Sequence, residues 1–339
     1  IFDKGLLTED FRVTPYCPKD QTALSDHEVS QGYEEVTDKS VYVRMPLTSG
    51  PWAERDAQLL VWTTTPWTLV SNTAVAVRAD VVYVLADNGS ERLVVAEPLF
   101  DKVLATRKGA PAFRVIDTVA GRDMERWGYQ RPLELVPFDK PANYIILADY
   151  VTTDDGTGLV HEAPAFGAED MASCKPYGLP FVNPIGPDGA FFDDVPMVGG
   201  KFFKSANQPI VDDLRERGLL FAEAPVTHTY PHCWRCGTPL IYYATPSWYV
   251  RTTQIKDRLL AVNEGTNWYP EHVKHGRYGD WLENNIDWAL SRSRYWGTPL
   301  PIWRNELDPS KLVCIGSRAE LAERCGDPAV ATMDPHRPY

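Results

Sequence analysis

The sequence predicts an α+β protein, mostly β, built around a barrel-like or sandwich domain. Six short segments rich in Val, Ile, Leu and Tyr lie between positions 58 and 151, and Asp, Asn, Gly or Pro separates each from the next. Patterns with helical spacing come mainly after them. A run of closely spaced strands followed by a few helices is typical of α+β proteins, whereas a doubly wound parallel sheet alternates strands and helices along the chain.

The predicted elements can be placed on the chain. The six strands are expected in QLLVWTT, TAVAVRA, VVYVLAD, RLVVAEP, AFRVIDT and YIILADYV. The first helix lies in NQPIVDDLRERGLL, where Ile210 and Leu214 repeat at helical spacing and Asn207 is a candidate N-cap. Two further helices are predicted over 255–263 and 317–325.

Length and composition limit the class of protein. A chain of 339 residues suggests about two domains, and 44% hydrophobic with 24% charged residues is typical of a soluble globular protein. No apolar run approaches the roughly 18 residues of a membrane span. The start, IFDKGLLTED, has neither the basic nor the apolar region of a signal peptide, so we interpret the chain as a fragment of a longer cytoplasmic protein.

Cysteine usage and charge give two further limits. The six cysteines are scattered except for the pair Cys233 and Cys236, which indicates a reducing compartment and leaves that pair available for a metal. The formal net charge of −12 argues against broad, charge-driven binding of nucleic acid, which needs clustered Lys and Arg. Contact with a nucleic acid would therefore have to be local or shared with parts outside this chain.

Three adjacent threonines, Thr63 to Thr65, end the first strand segment at a Pro-Trp step. Their ordinary interpretation is β propensity, because β-branched side chains pack well on a sheet. Pro66 stops the strand, however, and favours an extended conformation at Thr65. The hydroxyls and the freed N–H groups are then expected to face a cavity with Trp67 as its apolar wall.

A second candidate region is DDGTGLVHEAPAFGAED, residues 154–170. It begins with a predicted tight turn, whose amides can approach an oxyanion or a ribose, at Gly156, Thr157 and Gly158. His161 ends the following strand, where a hydrogen-bonded structural histidine is the alternative. Asp170, next to Glu169 just before an apparent helix, is either a cap or the group that holds a ligand ammonium.

A third feature is HCWRCGTPL, where Cys233 and Cys236 are spaced like one knuckle of a zinc site. Cys17, in YCPKDQTALSDHEV, offers a third ligand, and Asp20 stands where a second knuckle would carry another cysteine. A redox pair or a packing pair is the alternative. We assign a zinc ion at this position a structural and not a catalytic role.

The fourth feature is a basic and aromatic segment formed by Arg292, Arg294, Tyr295 and Trp296. Basic and aromatic residues interleave in this way at nucleic-acid surfaces. A partly buried segment between domains, with arginine stems packed on aromatic rings, explains the pattern equally well.

Four stretches together resemble isoleucyl-tRNA synthetases. They are WTTTPWTLVSNTAVAV, GTGLVHEAPAFGAEDM, CWRCGTPLIYYATPSWYV and DWALSRSRYWGTPLPIW, and they follow that family's order over nearly the whole chain. The related valyl and leucyl enzymes typically carry Arg at the position of Thr65 and lack a histidine at the position of His161. The matching region is the connective insertion that interrupts the Rossmann-type catalytic domain of class I synthetases and forms their editing domain.

This resemblance implies a domain plan and an activity. We expect an outgoing stalk with the zinc knuckle over 1–37, the editing domain over 38–222, a returning stalk with the Cys-x-x-Cys pair over 223–275 and the edge of the catalytic domain over 276–339. The family's ATP-site signatures, H-I-G-H and K-M-S-K-S, are absent from the sequence. The chain is therefore expected to lack the ligation that its parent performs with ATP and Mg, and to hydrolyse valine misattached to isoleucine tRNA, or valyl-adenylate, without a cofactor.

The resemblance also assigns roles to residues. Thr64 and Thr65 are expected to act in catalysis with Asp170, which anchors the ammonium of the substrate. His161 is expected to limit the size of the substrate side chain. The residues expected to bind substrate are Thr63, Trp67, Gly156, Thr157, Gly158 and His161. No Ser-His-Asp set or Cys-His pair is evident, so we expect a positioned water to attack the ester.

Two alternatives stay open on the sequence. One is a tRNA-binding module without hydrolytic activity, and the other is a valyl-type editing domain that removes threonine. The sequence TTTPW together with His161 argues against the valyl type, whereas only an assay separates the binding module. The expected partners are the 3′ end of isoleucine tRNA and the remainder of the parent synthetase, with no membrane.

Overall fold

The computed structural model describes residues 1–104, 111–291, 299–334 and 336. The chain forms two compact units, a smaller one of Ile1–Arg12 with Thr245–Tyr339 and a larger one of Val13–Ala244. The mostly β, α+β class is confirmed. The boundaries expected for the stalks and the editing domain stay predictions.

The six strands predicted between positions 58 and 151 are all present, as β4 to β9 in the numbering that follows. The strands are β1 (Leu7–Cys17), β2 (Thr22–Ala23), β3 (Tyr33–Pro46), β4 (Ala57–Thr63), β5 (Ala74–Val77), β6 (Val82–Asp87), β7 (Arg92–Ala96), β8 (Arg114–Ala120), β9 (Tyr144–Leu147), β10 (Val160–Glu162), β11 (Leu220–Pro231), β12 (Ile241–Val250), β13 (Trp288–Ala289), β14 (Ile302–Arg304) and β15 (Leu312–Cys314). The α-helices are α1 (Asp26–Ser30), α2 (Phe100–Leu104), α3 (Ala168–Cys174), α4 (Asn207–Glu216), α5 (Lys256–Glu264), α6 (Arg277–Glu283) and α7 (Arg318–Cys325).

Two sheets organise the larger unit. A six-stranded sheet has the order β11-β3-β4-β7-β6-β8, and only β4 and β7 in it are parallel neighbours. A three-stranded sheet has the order β10-β5-β9, with β10 antiparallel and β9 parallel to the central β5. Among the described strands neither sheet closes on itself, so the unit contains two open sheets in place of a closed barrel.

The central strand β5 explains why the sequence AVAV is apolar at every position. Val75 and Val77 pack into the main core, whereas Ala74 and Ala76 pack into a second cluster on the other face, with Ile146. A strand covered on both faces reads as a continuous apolar run. This buried strand fixes the position of β10, because His161 lies opposite Val75 in the register.

The helices confirm the predicted spans with small shifts, and one predicted cap is wrong. Asn207 is the first residue of α4, and Ala206 occupies the N-cap position. The Asn207 amide oxygen instead accepts a hydrogen bond from the backbone N–H of Trp67 at 3.0 Å. Because the Asn207 oxygen accepts a hydrogen bond from another part of the fold, it does not cap its own helix.

The smaller unit contains short paired strands. In it β12 pairs with β13, β14 pairs with β15, and Arg304 forms an ion pair with Glu9. The predicted basic and aromatic segment, Arg292 to Trp296, lies outside the described residues. In the part of the chain that the structure covers, every helix is too short or too polar to span a bilayer.

Candidate functional site

The three threonines lie where β4 ends. Thr63 is the last residue of that strand, Thr65 occupies the N-cap position of a 3₁₀ helix, and Pro66 is the first residue of this helix. Proline suits that position because its fixed φ is compatible with a helix and its missing N–H would have no partner there. The strand therefore ends before Pro66, as the sequence predicts, and the 3₁₀ helix that follows is an addition to that prediction.

A ladder of hydroxyl groups joins this bend to β10. The Thr65 hydroxyl lies 3.2 Å from that of Thr63 and 3.2 Å from that of Thr68. The backbone N–H of Thr65 donates to the Thr63 hydroxyl at 3.1 Å. The Thr68 hydroxyl in turn lies 2.7 Å from Nε2 of His161. The structure thus brings two of the predicted threonines together with the predicted histidine, through Thr68.

The hydrogen-bond network fixes the tautomer of His161. Thr68 donates its only hydroxyl proton to the backbone carbonyl of Thr65 at 2.7 Å, so it must accept from Nε2 of the imidazole. On the other side of the ring, the Asn72 amide lies 3.4 Å from Nδ1 and donates to it. The Asn72 amide is itself oriented, because its oxygen accepts from Tyr129 at 2.6 Å. His161 is therefore the Nε2–H tautomer.

Burial also fixes the charge of this histidine. His161 is only 7% exposed, and burial lowers its pKa to about 4. The ring is neutral near pH 7, and each of its nitrogens already has a hydrogen-bond partner. Sequence reasoning missed Thr68 and Asn72, although Thr68 follows Thr65 at the three-residue spacing that places two side chains on one face of a helix.

Asp170 is the third residue of α3, whereas the sequence places it just before the helix. Its Oδ2 accepts a hydrogen bond from the backbone N–H of Ala163, just after β10, at 2.7 Å. Burial raises the pKa of this carboxyl to about 6. A β-carbon at Gly167 would lie 2.2 Å from its Oδ1, so the close approach of this carboxylate requires glycine. The half-buried side chain thus ties α3 to β10.

Glu162 is a buried acid that sequence reasoning did not single out. It is completely buried, and it accepts hydrogen bonds from the side chains of Tyr150 and Ser173. Burial, followed by the negative charge of Asp170, raises its pKa to about 8. A glutamate is rarely buried without a cation, and nothing in the local sequence distinguishes this one from a surface residue.

The predicted turn is present at Gly156, Thr157 and Gly158. Both glycines have positive φ, and a β-carbon at Gly158 would lie 2.3 Å from that of Ala96. The Gly158 carbonyl accepts from Tyr83, and the Thr157 carbonyl accepts from Ala96. These hydrogen bonds attach the turn to β6 and β7, and Thr157 itself is buried. Its part in substrate binding stays a prediction.

Trp67 lies in the core beside the bend. It is 4% exposed, and its ring packs edge to face against Phe166 and Phe203, with centroids 4.8 and 5.0 Å away. Such aromatic pairs are worth about 0.5–1.5 kcal/mol each beyond the area they bury. The structure thus gives Trp67 a packing role. Thr64 and Thr65 are both partly exposed, next to the buried Thr63, and the catalytic role predicted for each of them stays a prediction.

A separate cluster joins the predicted metal ligands. The ligand atoms of Cys17, Asp20, Cys233 and Cys236 all lie within 4.8 Å of one another. Sγ of Cys17 is 3.5 Å from that of Cys236, and Sγ of Cys233 is 3.2 Å from a carboxylate oxygen of Asp20. Bonds of about 2.3 Å to a tetrahedral zinc place its ligands at such separations, and thiolate and carboxylate are both zinc ligands. The donor set fits zinc.

Comparison with known proteins points to one family. The family model for class I tRNA synthetases (I, L, M and V) matches residues 1–335. The chain is 62% identical over 339 residues to the isoleucine–tRNA ligase of Streptomyces avermitilis and 47% identical over 340 residues to that of Thermus thermophilus. Each alignment covers the whole of this chain, which spans only 32% of the length of the relative. The resemblance to isoleucyl-tRNA synthetases is confirmed.

Among solved structures, the editing domain of the cytosolic leucyl-tRNA synthetase of P. knowlesi aligns with 56% of this chain and 98% of its own. The sequence identity is 10% and the TM-score is 0.41. A TM-score of this size does not establish a common fold. The assignment of this chain to a family therefore rests on the sequence matches alone.

Proposed function

We propose, from the premise that this chain belongs to the class I tRNA synthetases of the isoleucine, leucine, methionine and valine group, that its larger unit is an editing domain. The reaction is hydrolysis of valine misattached to isoleucine tRNA, or of valyl-adenylate. One observation carries the proposal: hydrogen bonds hold a neutral His161 against the bend that bears the threonines.

The need for a second site follows from the energetics of the first. One methylene group in a hydrophobic pocket is worth only about 1–3 kcal/mol, a limit for which isoleucyl-tRNA synthetase is itself the standard example. A site that selects isoleucine by binding therefore admits some valine. A hydrolytic site must then accept valine and exclude the larger isoleucine, which calls for a rigid wall that does not react.

His161 suits the part of that wall. Its two ring nitrogens are engaged by Thr68 and Asn72, and with a pKa of about 4 it is a poor base near pH 7. An imidazole held on both sides cannot turn away to make room for an extra methyl group. In this proposal His161 excludes isoleucine by its volume and takes no proton from the attacking water.

The hydrolysis itself rests on positioning. Thr64 and Thr65 present hydroxyl groups at the bend, and a water held by one of them attacks the ester carbonyl. Asp170 anchors the α-ammonium of the misattached amino acid, and its carboxylate is held in place by the N–H of Ala163. An oriented water next to a labile aminoacyl ester needs little further activation, because correct geometry alone removes much of the barrier.

The cysteine cluster has a structural role in this proposal. Cys17, Asp20, Cys233 and Cys236 bind one zinc ion, which ties residues near the start of the larger unit to residues near its end. The ion supplies cross-linking and no chemistry, because a site with four protein ligands leaves no open position for a substrate.

The remaining expectations concern the parent enzyme. We propose that the full-length protein ligates isoleucine to its tRNA with ATP and Mg in the cytoplasm, and that the larger unit receives the 3′ end of that tRNA. A single-stranded end can be held by local stacking and hydrogen bonds, which is compatible with the net charge of −12.

The test is a deacylation assay with the whole 339-residue chain. Isoleucine tRNA charged with valine, and the same tRNA charged with isoleucine, are incubated with and without protein, and loss of the ester is followed. Valyl ester should be lost faster than isoleucyl ester. Binding of tRNA without any acceleration would identify a binding module, and preferential release of threonine from valine tRNA would identify a valyl-type domain.

A further inference from the structure

The buried carboxyl of Glu162 lies on the face of β10 opposite to His161. Successive side chains of a strand point to opposite faces, so these neighbours serve two different surroundings. His161 faces the threonine bend, whereas Glu162 faces α3 and the segment that contains Tyr150. The proposed editing reaction uses His161 on the first face and Asp170 of α3, and it gives Glu162 no part.

Three side chains donate hydrogen bonds to this carboxyl. Tyr150 donates to Oε1, Ser173 donates to Oε2 at 2.7 Å, and the Cys174 thiol lies 3.7 Å from Oε2. Among the described residues Glu162 forms no ion pair. An ionised carboxylate without a cation is costly to bury, so the neutral acid is the form that this environment favours.

Two short connections run from Glu162 to Asp170. The Ser173 hydroxyl that binds Glu162 also lies 3.1 Å from the backbone carbonyl of Asp170. In addition, the residue after Glu162 is Ala163, whose N–H binds the Asp170 carboxylate at 2.7 Å. We therefore expect a displacement of Glu162 to displace Asp170 as well.

We propose that Glu162 is a positioning residue of the editing site: as a neutral buried acid it fixes α3 and leaves Asp170 as the carboxylate that receives the substrate ammonium. The inference rests on the proposed function. Glu162 touches neither substrate nor water in this scheme and acts only through Asp170.

The electrostatic surroundings favour a neutral Glu162 beside Asp170. The titratable groups that face Glu162 are Asp170 and Cys174 of α3 together with Tyr150 and Tyr129. Burial and the negative charge of Asp170 disfavour an ionised Glu162, and together they outweigh the hydrogen bonds from Tyr150, Ser173 and Cys174, which favour it. Ionising it would place a second negative charge against Asp170 and push apart the two groups that hold α3 on β10.

The test compares Glu162→Gln with Glu162→Ala. Glutamine keeps the shape of the neutral acid, whereas alanine removes both acceptors. Alanine should raise KM for valyl-tRNA about tenfold or more and change kcat much less, because the ammonium anchor is used in the ground state and the transition state alike. At pH 7 the glutamine variant should have nearly the KM of the parent. Activity of the parent should decline as pH passes about 8 and Glu162 ionises, and the glutamine variant should lack this decline. Subtracting the Glu162→Gln profile from the parent profile cancels titration of the substrate amine.

Glu169→Gln is the matched control, because that carboxylate lies in the same helical turn but is exposed. An unchanged KM in Glu162→Ala, or a glutamine variant as defective as alanine at an unchanged melting temperature, would overturn the inference. Carbon-13 titration of the carboxyl groups in the free protein provides a readout without activity, in which Glu162 should titrate above pH 7. If the parent hydrolyses nothing, the proposed function fails, and this titration still decides whether Glu162 is a neutral buried acid.

Discussion

Nε2 of His161 donates a hydrogen bond to the hydroxyl of Thr68 at 2.7 Å, which joins strand β10 to the 3₁₀ helix that follows the threonines. The two residues are 93 positions apart in the sequence. Both are buried, so neither group can exchange its partner for water without local opening. The position of the imidazole in the candidate site is therefore set by a polar contact as well as by packing.

Thr68→Val tests that contact. Valine has nearly the same shape as threonine but leaves the Nε2–H of His161 buried without a partner, which costs about 1–3 kcal/mol of unfolding free energy. Thr37→Val is the control, because the Thr37 hydroxyl is exposed and meets that of Thr227 at the surface. The control should change stability by less than about 0.5 kcal/mol. Urea denaturation of both variants gives the comparison, and equal losses would show that the buried contact has no special weight.

His161→Ala tests the exclusion of isoleucine. Removing the ring opens space for one more methyl group and leaves the threonines and Asp170 in place. The variant should begin to deacylate correctly charged isoleucyl-tRNA, and the preference for valine should shrink by about the 10–200-fold that one methylene is worth. Valine hydrolysis should persist, because exclusion by volume is not chemistry. Loss of valine hydrolysis with no gain on isoleucine would instead make His161 catalytic or structural.

The stability of the protein should fall as pH rises from 6.5 to 8. Glu162, with its pKa raised to about 8, keeps a proton in the folded state that the unfolded chain has released, so folding binds more protons in this range. The stabilisation is complete below pH 4.5 and is lost as pH rises through about 8, at up to about 1.4 kcal/mol per pH unit. Asp170, with a pKa of about 6, acts in the same direction at lower pH, whereas His161 acts in the opposite direction between about 4 and 6.5.

The contribution of Glu162 to stability is therefore separated from those of Asp170 and His161 only between pH 6.5 and pH 8. The free energy of unfolding of the parent should fall between pH 6.5 and pH 8, whereas that of Glu162→Gln should change little. Urea unfolding of both proteins at pH 6.5, 7.25 and 8 measures the two dependences. Parallel curves would mean that Glu162 is already ionised in the folded protein.

The metal cluster makes a separate prediction. Elemental analysis should find about one zinc per chain, and Cys236→Ser should lower that content. A ligand bound only to the folded state stabilises it by about 2.7 kcal/mol at 100 times its Kd, so a chelator should lower the melting temperature. Cys325→Ser is the control, since Cys325 is exposed and lies outside the cluster. Zinc content that is the same in both variants would contradict the assignment.

Local sequence patterns were sufficient for the strands and for the bend. Segments rich in Val, Ile, Leu and Tyr, together with the residues that separate them, placed β4 to β9, and Pro66 marked the end of β4, because these features depend on neighbouring residues. The environment of Trp67 depends on Phe166 and Phe203, about 100 and 136 positions away, so neighbouring residues do not reveal how its ring packs, and its part in substrate binding stays a prediction. Glu162 was missed for the same reason, since its burial depends on Tyr150 and α3.

Asp170 provides the last prediction, because its carboxylate has a structural bond as well as a proposed function. Asp170→Asn keeps an oxygen that can accept from the N–H of Ala163, so the tie between α3 and β10 survives while the charge is lost. Asp170→Ala loses both. Removing one partner of a desolvated charge pair costs about 2–5 kcal/mol, so both variants should lose editing by about thirtyfold to several thousandfold.

The two substitutions separate charge from structure. Because burial raises the pKa of Asp170, the neutral asparagine should melt no lower than the parent, and alanine should melt lower for want of the bond to Ala163. Deacylation of valyl-tRNA and thermal unfolding measured on the same samples decide between the roles. If asparagine retains hydrolysis while alanine loses it together with stability, Asp170 acts as a helix tie alone, and the ammonium must be held by another group. If asparagine loses hydrolysis at full stability, the negative charge itself is what the substrate requires.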